Sequence, residues 1–157
     1  MDIYDAKAVR AVWARVRPES VGDCNTPQED GLALLRSAIE AERASICAYC
    51  SLRSLLPQFG GVIDTILCDE RRHLRELTAL VYLLTGMREG LQTSRLERGK
   101  NACAALREAY CGELKAAKGY DAMAEALPEQ AQMLRAAAVD ERRHACMLHR
   151  LMTKLMQ

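Results

Sequence analysis

The chain has few of the residues that fill sheets and barrels. Only 4% of its 157 residues are aromatic, with one Phe and one Trp, and there are only four prolines. Ala, Leu, Arg and Glu dominate instead, which is the composition of an all-helical protein. There is no excess of either charge. The formal net charge is +1, and acidic and basic residues are interleaved, which argues against nucleic acid as the main partner. No apolar run approaches the ~20 residues that a membrane span requires. The opening residues, Met1 to Asp5, are acidic and mixed rather than leader-like, so a cytoplasmic, reducing location is expected. Cysteine is present but not in a paired framework. Seven occur, an odd number, and Cys47 and Cys50 form the only Cys-x-x-Cys, whereas a zinc or rubredoxin-type iron site needs two such pairs. The cysteines are therefore expected to be mainly small core residues.

What the chain does have is an internal repeat. The pentapeptide Asp69-Glu70-Arg71-Arg72-His73 recurs letter for letter as Asp140-Glu141-Arg142-Arg143-His144, 71 positions later. The same offset carries Glu42 to Glu113, Tyr49 to Tyr120 and Pro57 to Pro128. Eight identities in one register indicate a duplicated helical hairpin.

Punctuation places the helices. Residues 4–17 read as a short amphipathic helix, with Val9, Val12, Trp13 and Val16 on one stripe and Pro18 as its stop. A linker follows, and the chain divides into 1–27, this helix and linker, and 28–157, a four-helix bundle. Thr26-Pro27-Gln28-Glu29 resembles a capping box that starts the first bundle helix, which runs to about Leu56. The second is expected from about Val62 to Leu84 and the third over 101–126. The fourth is expected from Pro128 to about Leu155. Short links within each hairpin and a long one, 85–99, between them imply a crossover, so that the second and third helices run parallel. The link is long enough to span the bundle, but taut. A domain-swapped dimer would relieve that tension.

Helical phase then selects the inward face. Tyr49 and Leu35 each lie seven residues from Glu42. Ile63 and Leu77 share the line of Glu70, and Leu134 and Leu148 that of Glu141. Glu42, Glu70, Glu113 and Glu141 are thus set in apolar stripes, where four unpartnered carboxylates would be very costly. His73 and His144 each follow a Glu by three positions and share its face. One Glu from each of two helices and a Glu-x-x-His from each of the other two is the ligand pattern of a pair of metal ions in a bundle. Hard carboxylates with one imidazole per ion favour iron or manganese, with zinc able to bind on purification. Glu70 and Glu141 are the expected bridging ligands. Glu40 falls on another face, and Arg71 and Arg142 are expected at the surface. Gly112 and Gly119, seven apart on the third helix, suggest close helix packing or room for a small ligand.

This pattern resembles the ferritin-like di-iron carboxylate superfamily, which includes rubrerythrins, bacterioferritins and the bacterial di-iron monooxygenases. The resemblance covers roughly residues 28–155 and rests on Glu42 to Tyr49, Glu113 to Tyr120, Asp69 to His73 and Asp140 to His144. It implies a ferritin-like four-helix bundle holding two iron ions. It further implies that Asp69 orients His144 and Asp140 orients His73, with Arg72 and Arg143 behind them. Tyr49 and Tyr120 would hydrogen-bond to ligand carboxylates across the bundle. Rubrerythrins carry a further carboxylate one turn after the third-helix ligand, where this sequence has Ala116, and usually a rubredoxin domain or partner, which is not encoded here. The resemblance therefore points to a rubrerythrin- or bacterioferritin-like protein without a rubredoxin domain. Its expected activity is a di-iron oxidoreductase reacting with dioxygen or hydrogen peroxide, rubrerythrin-like or ferroxidase-like and served by an external electron donor. The alternatives are a di-iron hydroxylase of a small organic substrate and a non-enzymatic metal-binding or structural bundle. A homodimer is the expected assembly.

Overall fold

The computed structural model describes residues 27–88, 90 and 101–157, with residues 27–30 described by backbone alone. The helix expected over 4–17 and the Thr26 cap lie outside them. Four long helices follow in order: α1 (Pro27–Leu55), α2 (Gly60–Thr85), α3 (Ala102–Ala126) and α4 (Ala131–Leu155). Each buries one stripe. In α2 it runs through Ile63, Ile66, Leu67, Glu70, His73, Leu77, Leu80 and Val81. The spacing of three and four is that of a single helix face.

The two hairpin turns are built alike. Leu56 and Leu127 leave helical geometry at φ −129°, ψ 62° and φ −126°, ψ 72°. Each is followed by one 3₁₀ turn, Pro57–Phe59 and Pro128–Gln130. Proline lacks the N–H that a continuing helix would need and has a preset φ, so it ends one helix and opens the turn. The second helix therefore begins earlier than expected, at Gly60, and the fourth later, at Ala131. α2 ends at Gly86, which takes a left-handed φ of 69° and donates its N–H to Tyr82 O; this is a conformation that glycine adopts without strain. Asn101 caps α3, its side-chain oxygen accepting from the Ala104 N–H at 2.8 Å.

Contacts fix the directions. Tyr49 meets Glu113 while Tyr120 meets Glu42, so α1 and α3 are antiparallel. Arg72 meets Asp140 while Arg143 meets Asp69, so α2 and α4 are antiparallel as well. Since α1 and α2 form a hairpin, α2 and α3 must run parallel. Arg43 Nη2 donates to Gly90 O at 2.8 Å, so the crossover already runs beside α1 five residues after α2 ends.

The apolar core is divided in two. One cluster, near the start of α1, includes Leu35, Ile39, Leu77, Val81, Tyr120, Met123, Leu134, Ala137 and Ala138. The other, near its end, includes Tyr49, Leu52, Ile63, Ile66, Leu67, Leu106, Leu148 and Leu151. Each fully buried Leu or Ile contributes roughly 1.5–3 kcal/mol, and together they offset the cost of the polar layer held between them. At Gly31 a Cβ would lie 2.7 Å from Leu127 Cδ2, so any larger residue there would have to displace the Leu127 side chain.

Two expectations are corrected. Of the described cysteines, Cys68, Cys103, Cys111 and Cys146 are exposed and Cys47 and Cys50 half-buried, so these are not mainly core residues. Cys68, Cys111 and Cys146 each stand two positions from an inward-facing Glu or His, which turns them to the opposite side of the helix. Gly112 and Gly119 are exposed, and a Cβ on either would meet nothing within 4 Å. They do not serve close packing within the bundle.

Candidate metal centre

Between the two apolar clusters lie Glu42, Glu70, His73, Glu113, Glu141 and His144, the only buried polar or charged residues among those described, each at most 4% exposed. They form two groups, each gathered within 4.8 Å: Glu42, Glu70, His73 and Glu141, and Glu70, Glu113, Glu141 and His144. Glu70 and Glu141 are common to both. Both imidazoles turn Nδ1 inward. His73 Nδ1 lies 2.9 Å from Glu141 Oε1 and 3.8 Å from Glu42 Oε1. His144 Nδ1 lies 3.1 Å from Glu70 Oε1, 3.2 Å from Glu141 Oε2 and 3.6 Å from Glu113 Oε2.

The outward nitrogens meet the opposite hairpin. His144 Nε2 is 3.2 Å from Asp69 Oδ2, and His73 Nε2 is 3.5 Å from Asp140 Oδ2. Two arginines close a ring over these aspartates. Arg72 Nη2 donates to Asp69 at 3.0 Å and to Asp140 at 2.6 Å. Arg143 Nη2 donates to Asp69 and Asp140, each at 2.7 Å. The sequence resemblance implied one arginine behind each aspartate; each in fact spans both. The hydroxyls of Tyr49 and Tyr120 cross the bundle to donate to Glu113 and Glu42. Glu40 is exposed and paired with Arg43 at 2.6 Å. Arg71 is exposed, and Arg142 is exposed and bonded to Asp121.

Electrostatics in this layer are severe. Burial, with the charges of neighbouring glutamates, pushes Glu42 up to about 9 and Glu113 up to about 8. Glu70 rises to about 7, chiefly from burial, although the adjacent His144 imidazole opposes it. For Glu141 burial is outweighed by the close approach of His144, His73 and Glu113, which holds it far below the ordinary carboxylate range. His144 rises to about 12 and His73 is raised, in both cases because carboxylate partners overcome burial. Tyr49 and Tyr120 are raised too, first by burial and then by the adjacent carboxylates, and so stay protonated donors. Asp69 is lowered, because bonds from His144 and Arg72 outweigh its burial.

Residues 104–157 match the family model of rubrerythrin. Over this stretch the chain is similar to rubrerythrin, which agrees with its all-α, ferritin-like four-helix architecture. The match takes in most of α3 and all of α4, and with them Glu113, Tyr120, Asp140, Glu141 and His144. The first hairpin of this rubrerythrin-like bundle is tied to the second by the internal repeat. No curated protein and no solved structure matches the chain. No helix among the described residues is long and apolar enough to cross a membrane.

Proposed function

We propose that this rubrerythrin-like chain is a di-iron oxidoreductase that reacts with dioxygen or hydrogen peroxide. The observation that carries the reading is the pair of buried ligand groups sharing Glu70 and Glu141. Its donors suit the ions. Glu42 Oε2, Glu70 Oε1, Glu141 Oε1 and His73 Nδ1 are buried without a hydrogen-bond partner, although His73 Nδ1 and Glu141 Oε1 lie 2.9 Å apart, misaligned for such a bond. Buried polar atoms are normally satisfied, and cations between these atoms would satisfy them. Glu42 and His73 would complete one position, Glu113 and His144 the other, with Glu70 and Glu141 bridging. Three carboxylates and one imidazole per position favour iron, with manganese as the alternative.

Two adjacent ferrous ions would supply two electrons together to a small oxidant, and an external electron donor would restore them. The chain does the rest. Asp69 and Asp140 fix each imidazole with Nδ1 inward and Nε2 as the donor. Tyr49 and Tyr120, held protonated, orient Glu113 and Glu42. The two apolar clusters keep water from the ends of the layer.

The test is metal content per chain after growth in iron-replete medium, then anaerobic reduction and measurement of oxygen or peroxide consumption. Two irons per chain with uptake stoichiometric in centres is the expected result. Two ions that react with neither oxidant would overturn the oxidoreductase reading.

A further inference from the structure

α2 and α4 flank the ligand layer yet approach each other far less closely than α1 and α2 or α3 and α4 do. Along their seam runs a groove of about 470 Å³, lined in part by Arg72, Glu76, Glu129, Gln130, Met133 and Ala136. Among its lining residues, Arg72 is the one whose guanidinium joins the ring over the centre. Nη2 of that group lies 3.5 Å from His73 Nε2 and 2.6 Å from Asp140 Oδ2. One side chain therefore stands between the groove and a histidine of the centre.

The repeat provides an internal comparison. Shifted by 71 positions, Glu76, Gln130, Met133 and Ala136 correspond to Met147, Phe59, Val62 and Thr65. Phe59, Val62 and Met147 are half-buried and packed against the second apolar cluster. Beneath them Ile66 and Leu67 replace the smaller Ala137 and Ala138. The same helix seam is filled with apolar side chains at one end and carries carboxylate and amide groups at the other.

We propose that the groove beside Arg72 is the passage by which a divalent cation reaches the centre, with the Arg72 side chain as its gate. The proposal rests on the six buried residues being a metal centre. Charge selects the cation. The ring of two arginines and two aspartates is neutral in sum, so Glu76 and Glu129 leave the mouth of the groove negative. A cleft of net negative charge concentrates cations and speeds their arrival. Glu76 Oε1 lies 3.7 Å from Arg72 Nη1, so it can retain the guanidinium when this leaves Asp140. That movement uncovers the Asp140 carboxylate, a transient ligand beside His73.

The experiment follows Co(II) uptake by the metal-free full chain in stopped flow, with end-point stoichiometry measured separately. Ala136→Trp, at an exposed position of the groove, is expected to slow uptake strongly while leaving the end point unchanged. Thr65→Trp, its counterpart in the other hairpin, is expected to load at the wild-type rate. The double variant Glu76→Gln/Glu129→Gln leaves side-chain size nearly constant and should slow uptake about tenfold at low salt, with a weaker salt dependence. This pair keeps the test sound should the larger side chain distort α4. Wild-type uptake rates in both the Ala136→Trp and the glutamine variants, or equal slowing by Thr65→Trp, would overturn the passage. Failure of the wild-type chain to bind a pair of ions would instead overturn the metal-centre reading.

Discussion

The two hairpins agree at the side chains of the polar layer and differ at many positions toward the ends of the bundle. Glu42, Tyr49, Asp69, Glu70, Arg72 and His73 each have an identical counterpart 71 positions on, and every one of them touches the polar layer or the ring above it. Away from that layer Phe59 becomes Gln130, Ile66 becomes Ala137 and Met147 stands opposite Glu76 in the repeat. A pair of ions demands two like sets of donors, whereas space can be filled in many ways. Identity of sequence does not mean identity of environment, however. Glu70 is raised to about 7 while Glu141, its counterpart, is held far below the usual range, because both imidazoles lean on Glu141 and only His144 on Glu70.

The largest expected effect breaks the layer itself. Changing Glu70 or Glu141 to Ala removes a donor shared by both groups, so either variant should lose paired binding. Glu40→Ala, on the exposed face, should keep it. Retention of two ions per chain by Glu70→Ala in metal analysis would remove the bridging assignment. Next come the crossed supports. Asp69→Asn and Asp140→Asn should each weaken metal affinity about 10- to 100-fold, the first at the position served by His144 and the second at that of His73. Competition titrations with a chelator, read with each histidine variant as reference, would detect loss at the wrong position.

Protons sharpen the comparison further. In the metal-free chain Glu42 and Glu113 hold protons up to about 9 and about 8, which an unfolded chain would give up near the ordinary glutamate value of 4.5. A carboxyl raised in the folded state binds more protons than the unfolded one, so stability falls as pH rises through that window. His144, raised to about 12, contributes stability below its ordinary value and loses it as pH rises, which acts in the same direction. The melting temperature of the metal-free protein should therefore decline from pH 5 to pH 9. Metal ions compete with the same protons, so metal affinity should rise over that range. A metal-free melting temperature that climbs with pH would contradict the protonated layer.

Much of this was legible because burial constrains it. The positions of Glu42, Glu70, Glu113 and Glu141 within apolar stripes placed them at one level before any coordinates, and the two Pro residues marked both turns. The outer faces were not legible in the same way. Nothing in the spacing of Cys68 or Cys146 distinguishes a small core residue from a solvent-facing one until the inward phase is fixed by its neighbours. The groove was hidden for a different reason. It arises from a difference between equivalent positions, such as Phe59 and Gln130, and becomes visible only once the two hairpins are folded against each other.

The smallest effect tests whether the hairpins diverged by compensated steps. A Cβ on Gly60 would lie 2.5 Å from Arg53 Cζ, and that guanidinium holds Asp64 through Nε at 2.9 Å and 3.1 Å. The corresponding trio in the second hairpin is Ala131, Ala124 and Arg135. Glycine at one end of the trio thus accompanies arginine at the other, and alanine accompanies alanine. The Arg53–Asp64 pair is solvent-exposed and worth within about 1 kcal/mol, and its flexible end can swing aside. Gly60→Ala alone should therefore change stability by less than about 1 kcal/mol, since the gain in helix propensity opposes the displaced ion pair. In an Arg53→Ala background nothing is displaced, and the same change should stabilise by up to about 1 kcal/mol. Urea denaturation of the four chains of this cycle measures the coupling. Strict additivity would mean that Gly60 and Arg53 do not constrain each other, and that their joint replacement in the second hairpin is coincidence.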